Sequence, residues 1–278
     1  MAAPAAANDK LVQWVDNGCI DWSTGMVHAS GVGAPDATDS SQSPDGAAGI
    51  LDSARRSAQA TLIETVKTIR IDAETRVVDR MVRDEAFREG LHTLVNNAAI
   101  TRQEYLSDGT LEIELTMNLT GGFGQFVLPE EIRQVEPVTT MTTVPADGQS
   151  PPDEKGDAPP LSFTGVIIDA SGIGAQPSLV PMVVDESGEV VYGSAFVSRE
   201  FAVSRGMSGF AATLDAARSD PRVGSHPMIV KAVRTRPEGS TDLVISTADA
   251  ARLRSSAVHL DFLKACRVSI VIDLTEKP

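Results

Sequence analysis

The sequence predicts an α+β protein in which a small sheet is packed by two helices and followed by a second, mixed α/β domain. Three observations predict it. Apolar residues recur at steps of three and four between residues 47 and 69 and again between 77 and 95. Strict alternation of apolar and polar residues runs from 111 to 119. A proline-rich stretch from 129 to 160 then separates this block from a second one, in which strand-like and helix-like runs alternate. The expected divisions are a first domain over 10–128, a linker over 129–160 and a second domain over 161–276.

In chain order, residues 27–33 read as a short strand ending in glycines, and residues 34–46, rich in Ser, Asp, Pro and Gly, as a connection. Leu51, Ala54, Ala58, Leu62, Val66 and Ile69 form one stripe on a helix over 47–69. A second helical run carries Val77, Val78, Met81 and Val82, then Phe87, Leu91, Leu94 and Val95, with a break near Arg83 and Asp84. Residues 100–106 and 111–119 pair as strands through Ser107-Asp108-Gly109-Thr110, whose Asp-Gly step tolerates the positive φ of a tight turn. In the second strand Leu111, Ile113, Leu115, Met117 and Leu119 face a core while Glu112, Glu114, Thr116 and Asn118 face water. Pro137, Pro145, Pro151, Pro152, Pro159 and Pro160 stiffen the linker toward extended conformations, and its acidic residues solvate it.

The second block opens on a buried-type strand over 163–169 and continues to a hairpin whose arms are 183–184 and 190–192. A helix is expected over 209–218, entered through Ser208 as cap, followed by strands over 228–233 and 243–246. Ser246 with Asp249 signals the start of a helix carrying Ala250, Leu253 and Ala257, and residues 268–272 close the block as a strand.

A chain of 278 residues that is 42% hydrophobic can build sizeable cores. Its 38 acidic against 24 basic residues give a formal charge of -14, which repels phosphate backbones and anionic lipids, so nucleic acid is not an expected partner. No window approaches the roughly 20 apolar residues of a membrane span. The first residues have neither a basic flank nor an apolar core and do not form an intact signal peptide. Cys19 and Cys266 lack the spacing of a zinc or redox motif; they read as buried small hydrophobes or, in an oxidising compartment, as a bridge between the blocks.

No constellation for catalysis, cofactor binding or metal binding is expected. Gly31-Val32-Gly33, Gly121-Gly122-Phe123-Gly124 and Ser171-Gly172-Ile173-Gly174 lack the strand, helix and charged partner of a phosphate loop, and read as turns. Gly206-Met207-Ser208-Gly209-Phe210 has Phe where a nucleophile elbow needs its last glycine. His28, His92, His226 and His259 are scattered without ligand spacing. Asp169, at the end of an apolar strand, occupies a position that many α/β sites give to an acidic group. It is the candidate contact for a small ligand or ion, and a turn-capping aspartate fits the same position.

Trp22-Ser23-Thr24-Gly25, the Gly31-Val32-Gly33 turn, the Ala54-Arg55-Arg56-Ser57-Ala58 helix, Val66-Lys67-Thr68-Ile69 and the run from Glu104 to Thr110 make the first block resemble the lipoprotein-20-like domain of bacterial envelope proteins. The second block is similar to the partner region that follows this domain in longer members. It does so through the run from Phe163 to Ala170, Gly193, the run from Val203 to Met207, the run from Asp220 to Gly224, and Cys266-Arg267-Val268. The resemblance implies the periplasm or cell surface, with export directed by a signal that this sequence lacks. It also implies kinship with components of flagellar H-rings and basal disks, which are repeated assemblies rather than enzymes.

The function expected is therefore that of a non-enzymatic envelope structural protein that self-assembles into a ring or filament, with other envelope or flagellar proteins as further partners. The alternative is a monomeric periplasmic module that binds an envelope peptide, glycan or lipoprotein. An enzyme would have to be centred on Asp169 and Ser171.

Overall fold

The computed structural model describes residues 10–34, 44–130, 132 and 163–273. Beyond Ile132 the proline-rich linker lies outside the described residues. Five strands make the first sheet: β1 (Val12–Val15), β2 (Gly18–Asp21), β3 (Met26–Gly33), β4 (Ala99–Tyr105) and β5 (Leu111–Asn118). Their order is β1-β2-β3-β5-β4, and every junction is antiparallel. The β1–β2 hairpin turns through Asp16, at a φ of 47°, and was not anticipated.

Helix α1 (Pro44–Lys67) lies along β3 at backbone contact. A Cβ on Gly31 would stand 2.0 Å from the amide nitrogen of Ala58, and one on Gly33 would stand 2.2 Å from the carbonyl oxygen of Ile50. The glycines are thus required by close approach, and Ala54 and Ala58 are the matching small residues on the helix. Leu62, Val66 and Ile69 are fully buried further along the stripe, where each contributes about 1.5–3 kcal/mol by leaving water. Helices α2 (Val77–Arg83) and α3 (Glu85–Asn96) follow. Asp84 ends the first and caps the second, accepting a hydrogen bond from Phe87 N at 2.9 Å, which places the expected break. Phe87, Leu91 and Val95 are buried on α3, while Val82 is exposed. The short helix α4 (Gly122–Val127), with Gly121 at a φ of 64°, ends the lobe.

The second lobe is a seven-stranded mixed sheet, in the order β8-β7-β11-β10-β6-β12-β9. Its strands are β6 (Gly165–Asp169), β7 (Val183–Asp185), β8 (Val190–Tyr192), β9 (Gly209–Ala211), β10 (Pro227–Thr235), β11 (Leu243–Ile245) and β12 (Val268–Val271). The central β6 pairs in parallel with both β10 and β12; its Val166, Ile167 and Ile168 are buried, as a strand covered on both faces requires. The expected hairpin is present as β7 and β8. Around the sheet lie α5 (Arg199–Arg205), α6 (Leu214–Ser219), α7 (Thr247–Arg254) and α8 (Ala257–Lys264). Ser246 caps α7 as its spacing predicts, accepting from Asp249 N.

The helix expected over 209–218 needs correction. Gly209–Ala211 is the edge strand β9, parallel to β12, and the helix begins at Leu214 behind Thr213, whose hydroxyl accepts from Ala216 N. Ala211, Ala212, Ala216 and Ala217 suit a helix by their propensity, but Phe210 and Ala211 are buried through strand pairing instead. Ser208 therefore caps nothing; its hydroxyl is buried without a partner.

One buried core runs through both lobes. Across the seam Leu179 N donates to Arg70 O at 3.0 Å, Val180 N to Ile71 O at 2.8 Å and Gly121 N to Val203 O at 2.8 Å. Arg199 donates to Pro129 O and Gln125 O, and Trp22 meets Phe210 edge to face with ring centroids 5.6 Å apart. Arg222 pins the seam's second-lobe side by donating to the carbonyls of Arg205, Gly206 and Cys266. Beside it, Tyr192 donates to Met207 O.

Gly31→Ala puts a methyl group into the α1 backbone and is expected to lower the unfolding free energy by about 3 kcal/mol in urea titration. Asp185, buried at the β7–β8 turn, accepts from Ser187 Oγ, the amides of Ser187 and Glu189, and Arg254. The Ser187 hydroxyl leads in pulling its carboxyl down to about 2, against the raising effect of burial. A depressed carboxyl stabilises the fold fully above its unfolded value of about 4 and loses that contribution as pH falls through about 2. Asp185→Asn should accordingly melt lower at neutral pH and lose less on acidification across that window than the wild type, read by circular dichroism.

Candidate functional site

Helices fill one face of the first sheet, and this leaves its opposite face and both edges as the surfaces with chemistry to offer. On the face away from α1, alternation presents Val12 and Trp14 of β1, Cys19 of β2, His28 of β3 and Glu114 of β5. They line a shallow groove of about 330 Å³. His28 Nδ1 and Glu114 Oε1 are 2.8 Å apart across the β3–β5 junction. Burial first, then the charges of Asp21 and Glu114, push the Cys19 thiol up, which keeps it protonated and a poor nucleophile. Cys19 and Cys266 are free thiols in different lobes.

The edges stand out more. All seven residues of β4 are exposed, and β5 is its strand partner on one side only. Ile100, Tyr105 and Leu106 present apolar surface there, with Tyr105 at 61% exposure. At the opposite edge Trp14 of β1 is 76% exposed. By contrast, the seven-stranded sheet ends in three-residue strands, β8 and β9. Short edge strands are a common protection against edge pairing, and the first sheet has it only at the four-residue β1. On β4 the protective features are a bulge between Ile100 and Arg102 and the exposed Arg102–Glu104 pair.

Asp169 sits at the end of β6, as expected. Its Oδ1 accepts from Ser171 N and Oγ, and its Oδ2 meets Lys231 Nζ at 2.9 Å from the register-paired position on β10. Burial acts to raise the carboxyl, but the Ser171 and Lys231 hydrogen bonds outweigh it and hold the group below its usual value. The arrangement is a turn cap closed by an ion pair. Ser171 is turned onto Asp169 and Lys231, in the geometry of a turn rather than of a nucleophile with its base.

The histidines are dispersed: His226 meets Ser225, and His259 meets Arg252 O between Phe163 and Phe262. Among the described residues no group of three His, Cys, Asp or Glu side chains converges. Among them, too, no helix is long and apolar enough to cross a membrane.

Residues 165–274 match the family described as Treponema pallidum Tp0624, second domain. The matched segment begins on the first residue of β6 and takes in the whole seven-stranded sheet. This second lobe is thus similar to a bacterial domain that is itself the second of its chain. No curated protein matches the sequence.

Of the surfaces described, sequence reasoning located Asp169 and β4 but passed over Trp14. The signal for its strand was Asp16-Asn17, a two-residue turn between short β-prone runs. Asp169→Asn removes one largely exposed ion pair while its amide oxygen still accepts from Ser171, so its expected effect on stability is less than about 1 kcal/mol in chemical denaturation.

Proposed function

We propose that this chain is a non-enzymatic structural protein of the bacterial cell envelope that assembles with copies of itself into a ring or filament through the edges of its five-stranded sheet. The observation that carries the reading is β4, seven residues long, exposed throughout and open along one side. Four antiparallel junctions separate β1 from β4, so the two edge strands run in the same direction. Pairing β4 of one copy with β1 of the next is then a parallel, heterologous junction, which repeats until its rotation closes a ring or continues as a fibre. Pairing β4 with β4 about a two-fold axis would instead stop at a dimer.

The family reading adds the location. The first lobe resembles the lipoprotein-20-like domain, whose relatives include flagellar H-ring and basal-disk proteins. The second lobe's likeness to a second domain of a bacterial protein supports a two-domain bacterial protein. Periplasm or cell surface is the setting this implies, with flagellar proteins among the candidate neighbours. A second reading, a monomeric periplasmic module for an envelope peptide, glycan or lipoprotein, is favoured by a crevice between the lobes.

Mass photometry and negative-stain imaging test the proposal. The wild type should form ordered oligomers that grow with concentration. Ile100→Lys combined with Tyr105→Lys should hold it as a monomer, by placing charge on the edge, with a melting temperature within about 2 °C of the wild type. A wild type that stays monomeric at all concentrations contradicts the proposal and favours the binding module.

A further inference from the structure

The seam between the lobes contains a crevice of about 140 Å³, built from segments far apart in sequence. Trp22 and Phe210 form its apolar wall, with Leu119, Leu179 and Met207 around them. Ser178 and Ser208 line the same space, and the hydroxyl of each is buried without a hydrogen-bond partner. Ser178 is only 1% exposed. A buried hydroxyl left unpaired is unfavourable by about 1–3 kcal/mol, and buried polar groups in native folds are nearly always satisfied. Two such groups in one crevice point to something that satisfies them.

The charges there are divided unequally. Arg222 is consumed by three carbonyl oxygens and stands 3.8 Å from the Asp220 carboxylate. Arg205 also lines the crevice, but among the described residues its guanidinium meets no carboxylate and donates no side-chain hydrogen bond. It lies over the Phe201 ring, 4.9 Å from the centroid. With Asp220 set against Arg222, Arg205 is, among the described lining residues, the cation that meets no carboxylate, in a chain whose formal charge is -14.

We infer that this crevice binds a carboxylate group, held by the Arg205 guanidinium and the Ser178 and Ser208 hydroxyls, with its apolar substituent against Trp22 and Phe210. A planar guanidinium and two hydroxyl donors match the acceptor geometry of a carboxylate. The volume lies below the roughly 300 Å³ at which pockets for drug-sized molecules begin, so the occupant is a short-chain acid or the C-terminal end of a peptide. Both sources present the same chemistry. A phosphate monoester would carry more charge than one arginine balances, and a neutral amide would leave that charge unanswered.

The test is a nitrogen-15 chemical-shift titration of the full chain with Ile100→Lys and Tyr105→Lys, so that the outcome is independent of self-assembly. The probes are N-acetylalanine, its neutral amide, and a pentapeptide ending in alanine with a free or an amidated C-terminus. The acids should shift the amides of Ser178, Gly206 and Ser208 saturably, and the amidated probes should bind at least tenfold more weakly. Arg205→Gln should weaken the acids at least tenfold, and Ser178→Ala by a smaller factor, each with an unchanged spectrum elsewhere. Tighter binding of the free-ended pentapeptide than of N-acetylalanine assigns the site to chain termini, and equal binding assigns it to short-chain acids; either supports the inference. Equal affinity for acid and amide, no saturable shift, or unchanged binding in Arg205→Gln overturns it.

Discussion

A helix can lie at backbone contact on a sheet only where the sheet carries no side chain in its path, and Gly31 and Gly33 supply that condition. Everything else in the first lobe follows from it. Because α1 sits so low on β3, Ala54 and Ala58 suffice to fill the contact, and the larger Leu62, Val66 and Ile69 are left to meet the rest of the core. The helices are thereby gathered on one face. The other face and the two edges stay in water, where an edge strand's unpaired amides and carbonyls are satisfied by solvent until another strand replaces it.

The second lobe solves the same problem differently. Its central strand is buried on both sides and its edges are three residues long, so it offers little backbone for pairing. Its contribution to the proposed assembly is to hold the first lobe rigid, through a shared core and three backbone hydrogen bonds across the seam. Rigidity matters because a ring or fibre repeats one rotation many times, and small errors in a flexible subunit would accumulate. The seam is also a place where the packing is imperfect. Among the described residues the Ser178 and Ser208 hydroxyls are unpaired there and Arg205 meets no carboxylate, and sites that break the rules of good packing are the usual places for function.

The sequence made the periodic elements legible. Leu62, Val66 and their neighbours recur at helical steps, Leu111, Ile113 and Leu115 alternate, and Gly109 lies at a φ of 86° in the turn its Asp-Gly step foretold. Asp84 marked a helix break by being a cap on its own account. What escaped was short or non-local. The helices α4 and α5 bury too few residues to show a period, and β9 was masked by alanines that suit a helix equally well. Parallel pairing of β6 with β10 and β12 joins strands about 60 and 100 residues apart and leaves no local trace. The crevice is the extreme case: Trp22, Ser178, Arg205 and Ser208 are unremarkable in their own segments, and only the fold brings them together.

The central claim is that β4 is a joining edge, and amide hydrogen exchange measured as a function of protein concentration tests it most directly. The account predicts that residues 99–105 exchange fast in dilute protein and become protected as concentration rises, together with residues 12–15, while β8 and β9 keep the same rates throughout. Exchange across 99–105 that is independent of concentration, in a sample shown to be oligomeric, would place the contact elsewhere and contradict it.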